Sequence, residues 1–377
     1  MDCSHFSADH CRSCTLLPQP YPQQLASKQA DAQQQLANWP QLNWLAPQAS
    51  AEQGCRNKAK MVVSGSCDEP VLGIINHHGQ AVDLCDCPLY PTAIQLALPL
   101  LRQFIRDARL PPYDINARRG ELKYLLLTVD EPSGQLMLRF VLRSRESEGR
   151  IRKQLPQLLG ALPTLQVVSI NLQPQPMAIV EGTTEILLTS ATALPMQLGE
   201  LPLQLQPQGF FQVNTAVAAA LYKRAADWAA TRQPAAVWDL FCGVGGFALA
   251  CAQRGLSVTG IEVSAAAIAS ATAAATALAL HQAQFRALDA TDFALGQSQL
   301  PELVIVNPPR RGIGQPLAHF LDQSACQSLI YSSCNVASLV RDLAWLPSFI
   351  PTRGQLFDMF PHTSHYELLL QLERRQP

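Results

Sequence analysis

The stretch that decides the fold is Val237-Trp-Asp-Leu-Phe-Cys-Gly-Val-Gly-Gly-Phe247. An apolar run meets an acid, Asp239, opens into glycines 243, 245 and 246, and continues into Ala- and Leu-rich sequence. This pattern predicts a strand, a tight glycine turn and a helix, in which backbone amides and a helix N-terminus approach a nucleotide-like ligand. A second apolar run, Leu256-Ser-Val-Thr-Gly-Ile-Glu262, ends in a carboxylate where a ribose-hydroxyl acceptor belongs. The spacing departs from the dinucleotide signature G-x-G-x-x-G. With an acid ahead of the turn and few donors for a pyrophosphate, S-adenosylmethionine (SAM) fits better than NAD, with Gly243 opening the turn that approaches it.

Outward from this turn, strands and helices alternate. Ala265–Leu280 is alanine-dense and reads as helix. Ala283–Leu288 leads to Asp289, suited to accept from an adenine amine, and Leu303-Val-Ile-Val runs into Asn307-Pro-Pro-Arg-Arg-Gly312. Leu329-Ile-Tyr-Ser-Ser-Cys-Asn335 repeats the form. Such alternation implies a parallel sheet whose ligands gather at the carboxyl ends of its strands, where Glu262, Asp289, Asn307 and Cys334 all fall. Upstream, Pro207-Gln-Gly-Phe-Phe-Gln-Val-Asn214 precedes a helix expected over Thr215–Ala230. Capping suits Asn214, which leaves Gln212 to face the cofactor.

The 377 residues favour more than one domain, here read as 1–90, 91–205 and 206–377. No run approaches the roughly 18 apolar residues of a membrane span, and the start does not read as a signal peptide, so a cytoplasmic protein is expected. Net charge is −1, yet residues 91–160 hold 12 Lys and Arg against 7 Asp and Glu. Eleven cysteines without secretion signals argue for metal or catalysis rather than disulfides. Cys3, Cys11 and Cys14 can wrap one metal centre, and Cys87, followed by proline in Asp83-Leu-Cys-Asp-Cys-Pro88, is favoured over Cys85 as fourth ligand. Zinc on the same thiols, with His5 or His10, and no metal at all are the rivals. Arg56, Lys58 and Lys60 alternate, as on one strand face, either a phosphate track or a solvated surface. Cys55 and Cys67 read as small apolar fillers.

A helical patch is expected near Lys28–Leu36 and an amphipathic helix over Leu96–Ala108. A hairpin of Leu122–Val129 and Gln135–Leu142 and strands in 167–172 and 177–188 complete an α+β region. Arg139, Arg143, Arg145, Arg150, Arg152 and Lys153 cluster at the hairpin exit. An RNA-holding surface is preferred there over a solubilising one.

Cys334 is the sharpest residue. A thiol at a strand end, before a helix start, has an amide environment expected to lower its pKa, although a buried packing thiol reads the same way. Beside a SAM pocket, a thiolate can add to carbon 6 of uracil and so activate carbon 5 for methylation. A base must then remove the carbon-5 proton. Candidates are Glu367, starting a last apolar strand at the sheet margin, and His362 and His365. Asn-Pro-Pro-Arg differs from the Asn-Pro-Pro-aromatic of amino-group methyltransferases. Arg310 and Arg311 suit a phosphate or an enolate oxygen instead.

These motifs together resemble the RNA uracil-5-methyltransferases, whose patterns D-x-F-C-G-x-G, N-P-P-R-x-G, S-C-N and H-x-E occur here at 239–245, 307–312, 333–335 and 365–367. The likeness runs along essentially the whole chain and is greatest to members acting on uridine 747 of bacterial 23S ribosomal RNA. It implies a class I SAM-dependent methyltransferase fold (Rossmann-like) at the C-terminus, with an N-terminal iron–sulfur segment and a central α+β domain. It further implies a [4Fe-4S] cluster on Cys3, Cys11, Cys14 and Cys87, and SAM contacts at Gln212, Phe241, Glu262 and Asn307. Cys334 would be the nucleophile and Glu367 the base. Longer relatives carry a TRAM barrel ahead of the cluster, which this chain is expected to lack. One departure is Val336, where many relatives have proline. Ribosomal RNA is the expected partner, with no membrane and no obligate protein partner. Cytosine-5 or tRNA uracil-5 methylation, and a non-catalytic iron–sulfur RNA-binding protein, are the alternatives.

Overall fold

The computed structural model describes residues 1–177 and 179–375. Two compact units result: one comprises Met1–Cys14, Ala51–Gln197 and Leu205–Gln208, the other Thr15–Ser50, Leu198–Gln204 and Gly209–Pro377. Among the described residues no helix is long and apolar enough to cross a membrane.

The first unit is built on a seven-stranded sheet. Lys58–Gly65 pairs antiparallel with Leu122–Val129, so one sheet runs across the boundary expected near residue 90. The expected hairpin is present as Leu122–Val129 and Leu136–Leu142, and Leu165–Leu172 adds to it in parallel. Of the strand expected over 177–188, Thr184–Leu187 is formed, while residue 178 lies outside the described residues. The helix Thr92–Asp107 buries Ile94, Ala97, Leu98, Leu101, Phe104 and Ile105, a spacing of three and four that turns one face to the core. Glu148–Ala161 buries Ile151, Leu155 and Leu158 in the same core.

The second unit holds an eight-stranded sheet. Its order is Asn43–Trp44, Phe349–Phe357, Glu367–Arg374, Ser328–Ser333, Leu303–Val306, Val237–Leu240, Val258–Glu262 and Ala283–Ala287. The five strands from Ser328–Ser333 to Ala283–Ala287 are parallel, as the alternation of elements predicts. Valine, isoleucine and leucine fill Leu303–Val306, which is buried throughout. The last strand is not at the sheet margin. Glu367–Arg374 is inserted antiparallel between Ser328–Ser333 and Phe349–Phe357. Its apolar run Leu368, Leu369, Leu370 and Leu372 is fully buried, which suits an interior position and not an edge. The helix expected near Lys28–Leu36 extends over Tyr21–Gln35, with Pro22 in its first turn.

Candidate active site

Because the central strands are parallel, Leu240, Glu262, Val306 and Ser333 finish at one edge of the sheet. Beyond Leu240 the chain turns sharply. Phe241 has φ 66°, in the left-handed region a bulky residue rarely occupies. Gly243 and Gly245 follow at φ 55° and 85°, and the helix Gly246–Gln253 begins. A Cβ on Gly246 would collide with the ring of Tyr222, so close helix packing explains that glycine.

Glu262 accepts from the Gly243 amide on Oε2 (3.2 Å) and from the Ser264 amide on Oε1 (3.0 Å). These bonds orient the carboxylate and leave it lone pairs for a hydroxyl donor. Asn307, half-buried, donates its backbone amide to Leu240 O (3.3 Å). Asp289, exposed, caps the helix Ala290–Leu295 through Oδ1, bonding the amides of Thr291 and Asp292. Asn214 caps Thr215–Arg232 as expected. Gln212 is not free. It hydrogen-bonds the phenol of Tyr222, a buried residue that sequence spacing gave no reason to single out. Asp239 is fully buried, accepts the Ala248 amide on Oδ2 (2.9 Å), and has no partner for Oδ1 among the described residues. Burial pushes its pKa up to about 8.

Cys334 follows the strand Ser328–Ser333, and Glu367 opens the antiparallel neighbour. Ser333 pairs with Leu368, so the next step of the register sets Cys334 beside Glu367. Glu367 is 3% exposed and accepts a hydrogen bond from Ser332 Oγ at 2.7 Å. Burial raises its pKa to about 7 against the smaller opposing effect of the serine. Cys334 is half-buried, and its pKa is raised, not lowered. Burial is the largest cause and the Glu367 charge the next, while Arg310, which hydrogen-bonds the sulfur, and the Cys334 backbone amide oppose them. The helix Val336–Ala344 does follow, but its amide environment is outweighed. Asn335 Nδ2 donates to Arg310 O (3.0 Å), joining the Ser-Cys-Asn and Asn-Pro-Pro-Arg loops. His362 is buried, its Nδ1 bonded to Gln24, and His365 is exposed against Phe360.

In the first unit, Cys3, Cys11, Cys14 and Cys87 line one cavity of about 170 Å3 together with Arg56, Lys60 and Tyr90. Cys85 is not in it; its sulfur accepts from Arg102 at 3.1 Å. His5, which also lines the cavity, is bonded through Nε2 to Asp86 (2.6 Å). Burial and then the thiols of Cys87, Cys11 and Cys3 push Cys14 up to about 12, and burial pushes Cys87 to about 11. A metal centre relieves that mutual repulsion by taking the thiols as thiolates. Buried Arg56 Nε has no hydrogen-bond partner among the described residues. Four converging thiols with an unmatched cationic donor fit an anionic thiolate-bound cluster.

Much of the basic cluster is paired within the protein. Arg139 is 1% exposed and clamped by Glu181 and Glu185; Arg143 pairs with Glu121, and Arg145 and Arg152 with Glu148. Lys58 is half-buried, and burial lowers its pKa to about 8. Only Arg139 is held by carboxylates from outside the 91–160 window, Glu181 and Glu185; the partners of the other arginines, Glu121 and Glu148, lie within it.

A Rossmann-like sheet with a glycine turn, acids at its strand ends and the antiparallel Glu367–Arg374 inserted beside Ser328–Ser333 fits the class of SAM-dependent methyltransferases. The fold is that of the Pyrococcus abyssi tRNA (uracil-54, C5)-methyltransferase solved with S-adenosyl-L-homocysteine, at TM-score 0.80 and 22% identity over 95% of this chain and 85% of that one. Residues 191–375 match the family tRNA (Uracil-5-)-methyltransferase. The 23S rRNA (uracil(747)-C(5))-methyltransferases RlmC of Shigella boydii serotype 4 (strain Sb227) and Escherichia coli (strain K12) are each 50% identical over 375 residues, covering 100% of both chains. The chain belongs to the RNA uracil-5-methyltransferase family.

Proposed function

We propose that this chain transfers the methyl group of SAM to carbon 5 of a uridine in 23S ribosomal RNA, the position equivalent to uridine 747 of its relatives. The observation that carries the mechanism is the closeness of Cys334 to buried Glu367: Cys334 follows the last recorded pair, Ser333 with Leu368, and the Glu367 charge acts on its thiol.

The target base must leave its stack to reach a thiol at the sheet edge. Arg310, bonded to the Cys334 sulfur, favours the thiolate. That thiolate adds to carbon 6, and the displaced electron pair moves onto carbon 5 and the exocyclic oxygen of carbon 4 as an enolate. Carbon 5 then takes the methyl group as its bond to the SAM sulfur breaks and S-adenosylhomocysteine leaves. Glu367, as carboxylate, accepts the carbon-5 proton, and the ring expels the Cys334 thiolate as its double bond re-forms. A base with a pKa near the working pH is suited to this transfer. Gln212, Phe241, Gly243, Glu262, Asp289 and Asn307 would hold SAM: Glu262 accepts from ribose hydroxyls, and the free Oδ2 of Asp289 from the adenine amine. Cys3, Cys11, Cys14 and Cys87 would hold a [4Fe-4S] cluster, which when bound supplies a cross-link between the N-terminal segment and the Cys87 loop. Functionally, 91–205 and 1–90 without Thr15–Ser50 serve RNA holding, and 206–377 with Thr15–Ser50 the chemistry, in the cytoplasm where ribosomal RNA is found.

Incubation with labelled SAM and transcripts of 23S ribosomal RNA and tRNA tests this reading. Label is expected in 5-methyluridine at one 23S position, and Cys334→Ala is expected to lower the rate at least about 1000-fold. Transfer to tRNA alone, to cytosine, or at the parent rate by Cys334→Ala refutes it.

A further inference from the structure

The helix Tyr21–Gln35 carries Tyr21, Gln24, Lys28 and Asp31, whose spacing of three, four and three sets them on one face. All four reach the loop 358–366, which closes the hairpin Phe349–Phe357/Glu367–Arg374 and delivers Glu367. Tyr21 Oη donates to Asp358 Oδ2 (2.8 Å). Lys28 Nζ donates to Asp358 Oδ1 (2.6 Å) and to Phe360 O (3.0 Å). Gln24 accepts the His362 amide on Oε1 (3.0 Å), and its Nε2 lies 3.2 Å from His362 Nδ1. Tyr366 Oη, one residue before Glu367, donates to Asp31 Oδ2 (2.6 Å). Leu16 adds its amide to His362 O (2.8 Å).

These contacts add to the segment's own bonds, which centre on Thr363 and Phe360, and fix a stretch that includes left-handed His362 at φ 64°. The side chains of Lys28 and Asp358 are 2% and 0% exposed. A buried ion pair is weak evidence for stability, because desolvation offsets its attraction, and stronger evidence for a fixed geometry. The loop is attached to Glu367 directly, at Tyr366. We infer that the polar face of Tyr21–Gln35 is a positioning element for Glu367: it sets the carboxylate for proton removal, the step after methyl transfer. The inference rests on Glu367 being the base.

A single-turnover assay separates the steps. The holoenzyme, a 23S RNA transcript and labelled SAM are mixed. Methyl incorporation is followed beside the decay of the covalent protein–RNA complex on denaturing gels. Glu367→Gln, the reference, accumulates methylated adduct. The double substitution Lys28→Met/Asp358→Leu, which removes both buried charges, and Gln24→Leu are compared after circular dichroism and SAM binding show an intact fold. Methyl incorporation near the parent rate, with adduct decay slowed at least about tenfold, supports the inference, since small misplacements of a catalytic group cost that much. Adduct decay at the parent rate overturns it, as does methyl incorporation falling in step with decay. If Glu367→Gln itself accumulates no adduct, the assignment of the base fails first, and the inference with it.

Discussion

Glu367 shows how one side chain can trade stability for chemistry. Its pKa rises from 4.5 to about 7, which corresponds to a cost on the order of 3 kcal/mol above neutral pH. The sign follows from proton binding. Below the unfolded pKa both states are protonated; between 4.5 and about 7 the folded state alone keeps its proton, so stability falls as pH rises through this window. Glu367→Gln, an amide that can keep the Ser332 bond, is therefore expected to melt higher than the parent at pH 8 and equally at pH 4. It should fail to turn over at both, stopping at the methylated adduct. A parent-like melting curve across that range contradicts the buried-carboxyl account. The parent turnover rate should climb with pH through about 7, because both the base and the raised Cys334 thiol act ionised. The direction of the cysteine shift was not legible in Ser-Ser-Cys-Asn. The carboxylate that opposes ionisation arrives from another strand, and only the register brings it there.

At the scale of elements, the parallel strands and their terminal residues were legible because apolar runs ending in Asp, Glu, Asn or Cys carry fold and site together. The last strand was misjudged as marginal. Its uninterrupted leucines match an interior strand, but no local pattern states which neighbours it separates. The helix Tyr21–Gln35 was legible only as a helical patch, since its partners lie more than 300 residues away and its working face is polar, not apolar. The Asn-Pro-Pro-Arg-Arg-Gly loop is decided by its last residue. Gly312 has φ 83°, and a Cβ there would collide with the carboxylate of Asp342. That carboxylate accepts from the Ile313 amide (2.7 Å) and Tyr331 Oη (2.6 Å). Gly312→Ala should lose about 2 kcal/mol in urea unfolding through strain and a displaced buried carboxylate. It should also weaken SAM binding by moving Asn307. An unchanged midpoint shows that the loop relaxes freely.

Across the whole molecule, four cysteines separated by as many as 84 residues converge on one cavity while a fifth, two positions from Cys87, turns to Arg102. The sequence favoured Cys87 through its following proline; the arginine partner of Cys85 was invisible to spacing. With anaerobic reconstitution, Cys14→Ser and Cys87→Ser should lose bound iron and visible absorbance, whereas Cys85→Ser should retain both. Iron loss in Cys85→Ser alone reverses the ligand assignment. Local charge was the least reliable guide at this scale. Arg139 is committed to a buried ion pair, whereas Arg145 and Arg152 pair with Glu148 at the surface, and Arg118, Arg119 and Lys153 are exposed.

The central claim is that Cys334 bonds to the base it helps methylate and that Glu367 frees it by removing a proton. A 23S RNA transcript containing 5-fluorouridine tests this most directly, because fluorine at carbon 5 cannot leave as a proton. With SAM and the iron-loaded protein, a complex stable to denaturing electrophoresis should form, with the RNA mapping to the Cys334 peptide. Tight RNA binding with no covalent complex, or a complex mapping to another cysteine, contradicts the account.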